Sequence, residues 1–128
     1  MLVAGIISAA LAVAFGAFGA HGLKKLVDAE GIDVFKTAVQ YQFYHALALI
    51  TTAVLSQKKP DRKIKWAGNF FLAGIFFFSG SLYAITLCKA MESAVPKLIF
   101  LLTPLGGVFF ICGWIVLLFT VFKNEKPG

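Results

Sequence analysis

The sequence predicts an all-α integral membrane bundle of four transmembrane helices, and three observations predict it. First, the 12 Lys and Arg and the 6 Asp and Glu fall in four short blocks, 24–36, 58–65, 89–97 and 123–128, while the stretches 1–23, 37–57, 66–88 and 98–122 carry no charge. Second, each of those stretches reaches the roughly 20 residues a helix needs to cross a hydrocarbon core about 30 Å thick. Third, the chain is 59% hydrophobic and 14% charged, against about 45–50% and 25% in a soluble domain. Little chain remains outside the four stretches, so 1–128 reads as a single transmembrane domain. Four uncharged stretches of this length in succession argue against the core helices of a soluble protein.

The first stretch starts at Met1, with no Lys or Arg before Lys24. A secretory signal opens with a basic segment, so a retained span is expected. Ala12, Gly16 and Ala20 stand four apart, as do Gly5 and Ala9. Such stripes of small residues let helix backbones approach closely in lipid. Gly16 and Ala20 are therefore expected to pack against another helix, in the bundle or in a dimer. Residues 24–36 mix charges with Leu26, Val27, Ile32, Val34 and Phe35, which suits an interfacial segment. Asp28 or Asp33 is placed to cap the next helix, and Gly31 to break or bend the chain.

In the second stretch Ala38, Tyr41, Gln42, His45, Ala48 and Thr52 recur at helical steps, with Val39, Phe43, Leu47, Ile50 and Val54 mostly on other faces. Polar groups in a span turn to protein or water, so this polar face is expected to point inward. The basic loop 58–65 contains Pro60, which stops the helix, and Trp66 follows at an interfacial position. The third stretch carries Phe70, Phe71 and Phe76–Phe78, then Ser79, Ser81, Tyr83 and Thr86. The fourth follows Pro96 and holds Thr103, Pro104, Gly106, Gly107 and Trp114. Pro104 removes a helical hydrogen bond and is expected to kink the helix. Gly106 and Gly107 join the helix-packing candidates. The tail 123–128 is short and charged, and is expected to fray.

Several functional classes are excluded on chemical grounds. No span contains Asp, Glu, Lys or Arg, whereas proton-coupled transporters place a titratable carboxylate in the membrane. No nucleophile stands with a base and an orienting acid. Gly16, Gly19 and Gly22 lie in a span with no strand before them, so they form no phosphate loop. Cys88 and Cys112 differ in depth by roughly 20 Å at 1.5 Å per residue, too far for a disulfide. His21 and His45 differ in depth as well, which disfavours a bis-histidine haem, and apart from Cys88 and the loop acid Glu92 no third strong ligand lies near their level for a metal. No cofactor is expected. The net charge of +6 belongs to loops that set topology and meet lipid headgroups, so the expected partner is the bilayer and not nucleic acid. With four spans, both termini share a side with the 58–65 loop. That side holds seven Lys and Arg and the other holds five, which places both termini in the cytoplasm of a cell (plasma) membrane protein.

The loops 24–36 and 89–97 share the opposite side. His21, Tyr41, Gln42, His45, Tyr83 and Thr103 therefore belong to one half of the membrane, with Ser79 and Ser81 near its midplane. These eight residues form the candidate site, either a hydrogen-bonded cluster that fixes helix register or a polar pocket.

The segments Gly16-Ala-Phe-Gly-Ala-His-Gly22, Tyr41-Gln-Phe-Tyr-His-Ala-Leu-Ala-Leu49, Phe78-Ser-Gly-Ser-Leu-Tyr83 and Thr103-Pro-Leu-Gly-Gly107 with Gly113-Trp114 resemble one family, the small four-span membrane proteins of domain of unknown function 423, of the YgdD/YwdK type. There is one such motif per span, in order. The resemblance implies an integral membrane protein with a four-helix fold and supplies no activity. Three functional expectations follow. The first is a non-enzymatic structural or accessory component that packs with itself as a homo-oligomer or with a larger membrane complex. The second is a binding or transport protein for a small amphipathic ligand, a lipid or quinone, held by the eight polar residues. The third is an intramembrane enzyme with His45 as base.

Overall fold

A computed structural model of the chain describes residues 1–125, with side chains through residue 122. Helix α1 spans Leu2–His21 and leads through a 3₁₀ turn, Leu23–Lys25, to α2, Ala29–Lys58. Then come α3 (Arg62–Gly74), a π turn (Ile75–Ser79) and α4 (Gly80–Ala90), which together form one continuous rod, and finally α5 (Lys97–Glu125). Helix α5 thus carries on past Lys123, where fraying was expected to start, and the remainder of that tail lies outside the described residues.

Local chemistry sets the ends of α2. The Asp28 side chain accepts from the Gly31 N–H at 2.8 Å, satisfying one of the unpaired donors of the first turn. Gly31 is buried inside the first turn of α2, so the break or bend expected at this glycine does not occur. Helix α2 ends at Lys58, two residues before Pro60, and Asp61 caps α3 by accepting from the Lys63 N–H at 2.8 Å.

The buried face of α2 runs through Gly31, Phe35, Ala38, Gln42, His45, Leu49 and Thr52. Those residues alternate steps of four and three, the seam of a left-handed helical pair. On α1 the buried residues are Gly5, Ser8, Ala12 and Gly19, and on α5 Gly106, Phe110, Gly113, Leu117 and Thr120 are buried at the same alternation. Helix α2 lies antiparallel to α1. An ideal Cβ on Gly5 would sit 3.2 Å from the Ala46 carbonyl oxygen, and one on Gly19 would sit 2.9 Å from the Phe35 ring. It also packs along the α3–α4 rod, and α5 covers the rod's other side. Among the described residues, α1 shares no comparable interface with α3, α4 or α5.

Three helices, α1, the α3–α4 rod and α5, are long and apolar enough to cross a membrane. Helix α2 falls outside that group; Gln40, Gln42 and His45 make its middle less apolar, and of these Gln42 and His45 are buried in the bundle. Since it runs antiparallel beside two crossing helices, it traverses the same slab. Gln42, His45 and Thr52 face protein, while Phe43, Leu47 and Val54, and also Gln40, Tyr44 and Thr51, are exposed to the surroundings.

The rod meets α5 through glycine–phenylalanine pairs. Phe110 packs on Gly74, Phe71 on Gly113, and the Phe78 backbone on Gly106. Phe71 is fully buried and joins Phe110, Leu117, Ala48 and Ala67 in the apolar core. A Cβ at Gly106 would lie 2.7 Å from Phe78 Cα, whereas one at Gly107 would find nothing nearer than 3.9 Å. Gly106→Ala is therefore expected to destabilise the protein by about 1–3 kcal/mol through overpacking against backbone. Gly107→Ala should be neutral or slightly stabilising, by up to about 1 kcal/mol of helix propensity. Thermal unfolding of the detergent-solubilised variants checks this; equal midpoints would contradict the close approach.

Candidate functional site

Among the described residues, four hydrogen bonds between uncharged groups tie the helices together inside the bundle, and most of the predicted polar residues take part in them. On α2, Gln42 reaches in two directions. Its Nε2 donates to the Ser8 carbonyl of α1 at 2.9 Å, and its Oε1 accepts from Tyr83 Oη of α4 at 2.7 Å. Ser81 and Tyr83 lie two residues apart, so they leave α4 on nearly opposite sides. Tyr83 turns to α2 and Ser81 to α5. Ser81 donates to the Phe78 carbonyl at 2.8 Å, so the 2.6 Å contact between Ser81 and Thr103 is donated by Thr103.

The fourth tie joins α2 to α5. Indole N–H only donates, so Trp114 Nε1 donates to His45 Nε2 at 3.3 Å. The proton of the imidazole is then on Nδ1, which donates to the Tyr41 carbonyl at 2.8 Å. Both ring nitrogens are thereby engaged and one neutral tautomer is set. The ring itself stacks on Phe110, centroids 3.4 Å apart at an interplanar angle of 11°, and lies 4 residues from Tyr41, whose ring packs on Phe78 at 4.6 Å.

Two of the eight candidates stand apart. His21 ends α1 on an exposed face, two residues past buried Gly19 and hence turned about 200° from it. Ser79 is 1% exposed, and its hydroxyl, like that of Ser8, has no partner among the described residues. Tyr41 is 39% exposed and contributes its ring and its carbonyl, not its hydroxyl, to the ties. Of the packing candidates, Gly106 is the closely packed one. Gly16 meets Val39 at an ordinary 3.5 Å, Gly107 is loosely covered, and Ala20 is exposed. Sequence reasoning missed Trp114 as the partner of His45; its placement deep in an uncharged span, where an indole N–H needs an acceptor, was the available signal. Among the described residues, no three His, Cys, Asp or Glu side chains are grouped to hold a metal ion.

Beside this cluster, α1 and α4 diverge and leave a lateral cleft of about 400 Å³ walled by Phe15, Phe18, Leu23, Phe35, Tyr83 and Leu87. Its aromatic wall is ordered edge to face. The Tyr83 ring lies 5.1 Å from both Phe15 and Phe35, at angles of 70° and 60°. The polar atoms on this wall are already bonded: Tyr83 Oη donates to Gln42 and Thr86 Oγ1 to the Leu82 carbonyl at 3.0 Å. The cleft therefore presents hydrocarbon. At the same end of the bundle Lys89 donates to Glu30 at 2.9 Å, joining the end of α4 to the start of α2.

The Gln42–Tyr83 bond has a measurable energetic consequence. Interhelical hydrogen bonds in membrane bundles contribute about 0.6–2 kcal/mol. Tyr83→Phe and Gln42→Leu should each destabilise the detergent-solubilised protein. The double variant should lose less than the two single losses added, with a coupling of about 0.6–1.7 kcal/mol. Strict additivity in a thermal or denaturant double-mutant cycle would show that the two side chains act independently.

A family model described as a protein of unknown function, DUF423, matches residues 15–107. The chain is 42% identical over 122 residues to a UPF0382 membrane protein of Staphylococcus aureus (strain bovine RF122 / ET3-1), covering 95% of this chain and 94% of that one. It is 40% identical over 123 residues to the UPF0382 membrane protein YwdK of Bacillus subtilis (strain 168), 95% of each chain. It is 35% identical over 128 residues to the UPF0382 inner membrane protein YgdD of Escherichia coli (strain K12), 100% of this chain and 93% of that one. No solved structure matches it significantly. The matched region contains five of the six side chains that form these ties, all but Trp114, and on these likenesses the chain belongs to the DUF423 family of membrane proteins.

Proposed function

We propose that the protein is a non-enzymatic structural or accessory component of the cell membrane, whose buried polar side chains hold helices in register and perform no chemistry. The observation that carries this reading is the state of His45. A general base needs a lone pair directed at a proton of the substrate. Here the Nε2 lone pair receives the Trp114 N–H, Nδ1 donates to the Tyr41 carbonyl, and the ring face is covered by Phe110. Gln42, Tyr83, Ser81 and Thr103 are likewise bonded to one another or to backbone.

An accessory role needs a partner in the bilayer, either a second copy or a larger complex. The outer face of α2 supports one. Gln40 donates to Tyr44 at 2.7 Å on an exposed surface, where polar groups facing acyl chains are unfavourable. Beside them lies a groove of about 310 Å³ between α1 and α2, floored by Ala12, Gly16 and Val39. A photo-crosslinking residue in place of Tyr44 should give an adduct with a protein of defined mass in native membranes. One in place of Phe119, on the exposed apolar face of α5, should give lipid adducts alone. Lipid adducts at both positions would overturn the accessory reading.

The excess of Lys and Arg on the side of the termini supports both ends in the cytoplasm. A C-terminal fluorescent reporter that folds only in the cytoplasm should be bright, and a C-terminal phosphatase that folds only outside should be inactive. The reverse pattern would invert the orientation.

A second reading, the binding of a small amphipathic ligand, is supported by the apolar cleft and not by the polar cluster. The α1–α4 cleft, about 400 Å³ and lined by apolar and aromatic side chains, is within the size range of ligand pockets.

A further inference from the structure

The α1–α4 cleft continues into a charged hollow. Leu26 lines both the apolar cleft and an adjoining space of about 450 Å³ bounded by Lys25, Asp28, Lys89 and Glu92. Two cations and two anions thus ring the mouth of a hydrocarbon slot. Lys89 is anchored by Glu30 at 2.9 Å and lies 3.8 Å from Asp28. Lys25 and Glu92 have no ion pair among the described residues. One cation and one anion therefore remain open to an outside partner.

Glu92 is held there against its backbone preference. At the end of α4 its N–H donates to the Lys89 carbonyl at 3.1 Å, and the Ser93 N–H donates to the Cys88 carbonyl at 2.9 Å. That is the Schellman closure, whose left-handed position glycine usually fills. Glu92 occupies it at a φ of 52°, where a side chain is disfavoured. The fold retains a carboxylate at the position where glycine would be more stable, and that carboxylate lines the hollow.

We propose that the hollow and the cleft together bind one zwitterionic phospholipid of the bilayer. Its phosphate meets Lys25 and Lys89, its ammonium meets Glu92 and Asp28, and an acyl chain lies along Phe15, Phe35 and Tyr83. The charge balance selects this class. An anionic headgroup would set its negative charge against two carboxylates, whereas a neutral pair of opposite charges has a counterpart for each end. The assignment rests on the amphiphile-binding reading of the cleft and names its ligand.

Native mass spectrometry of the detergent-purified full chain, titrated with phosphatidylethanolamine or phosphatidylglycerol of identical acyl chains, tests it. The expected result is a single phosphatidylethanolamine adduct favoured about fivefold over phosphatidylglycerol, the effect of about one interfacial charge. Glu92→Gly relieves the left-handed strain, so it should keep or raise the unfolding temperature while abolishing that preference. Ala90→Phe, which fills the cleft, should abolish the adduct. If that variant does not fold, Lys25→Glu on the exposed rim serves in its place and should weaken phosphatidylethanolamine binding about fivefold. Equal binding of the two lipids, a preference for phosphatidylglycerol, or an adduct that survives both Ala90→Phe and Lys25→Glu would overturn the proposal. A co-purified adduct of non-phospholipid mass that is lost with Ala90→Phe would also overturn it while sustaining the amphiphile-binding reading. Absence of any adduct would remove both.

Discussion

Gln42 sits near the middle of α2 with an amide that hydrocarbon cannot solvate, and the arrangement of three helices follows from where its bonds go. In water a glutamine side chain exchanges partners freely. In a bilayer core an unmatched amide is penalised by several kcal/mol on transfer scales of about 2–7 kcal/mol. Its N–H is matched by a carbonyl of α1 and its oxygen by a hydroxyl of α4. Helix α2 is thereby required to lie between α1 and the rod, which is where it packs. His45, one turn on, performs the same service towards α5 through Trp114. Without an apolar driving force between helices in lipid, such matched polar groups, together with close glycine contacts, are what specify neighbours.

The glycine contacts work on the other side of the rod. Phe71, Phe78 and Phe110 each meet a glycine on the opposing helix, so that side chain or backbone approaches bare backbone there, while Phe70 and Phe77 stack on the Phe109 ring. The π turn Ile75–Ser79 lies in this same region, and Gly106 seats against its Phe78 backbone. A π turn bonds five residues back and is locally wider than an α-helix. A glycine opposite it is the residue that accommodates the wider backbone. The Gln42–Tyr83 bond on one face of the rod, and the glycine pairs with the Ser81–Thr103 bond on the other, thus hold it between α2 and α5.

The four helices were legible because charge is so costly in hydrocarbon that its absence marks every span, α2 included, even where polar side chains depress the apolar character of that helix. The inward polar face of α2, the cap at Asp28 and the stop before Pro60 were legible for similar local reasons. Azimuth on α1 was not. Ala12, Gly16 and Ala20 stand four apart, and each four-residue step turns a helix by about 400°, so the stripe drifts about 40° per step. The packed residues Gly5, Ser8, Ala12 and Gly19 follow alternating three- and four-residue steps, which leaves Ala20 and His21 on the outside. Depth placed His21 level with the cluster; rotation about the helix axis turned it away. The π turn was not read from the sequence; Gly106, which lies against its Phe78 backbone, is some 30 residues further along the chain. Gly31 read as a break because isolated glycines punctuate chains, whereas its bare N–H at the first turn is what Asp28 bonds.

Tyr83 connects the polar interior to the cleft. Its hydroxyl is fixed by Gln42, while its ring forms the wall against Phe15 and Phe35. The bond at one end restricts rotation of the ring at the other, so the cleft has a defined shape only while the α2–α4 tie is intact. The wall opposite rests on α1, which packs extensively on α2 alone. Movement of α1 would therefore widen or close the cleft with little disturbance to the α2–α4–α5 core. Because Gln42 also bonds the Ser8 carbonyl, the same side chain restrains both walls. The buried polar cluster thus constrains the geometry of the cleft, where aromatic rings from three helices meet.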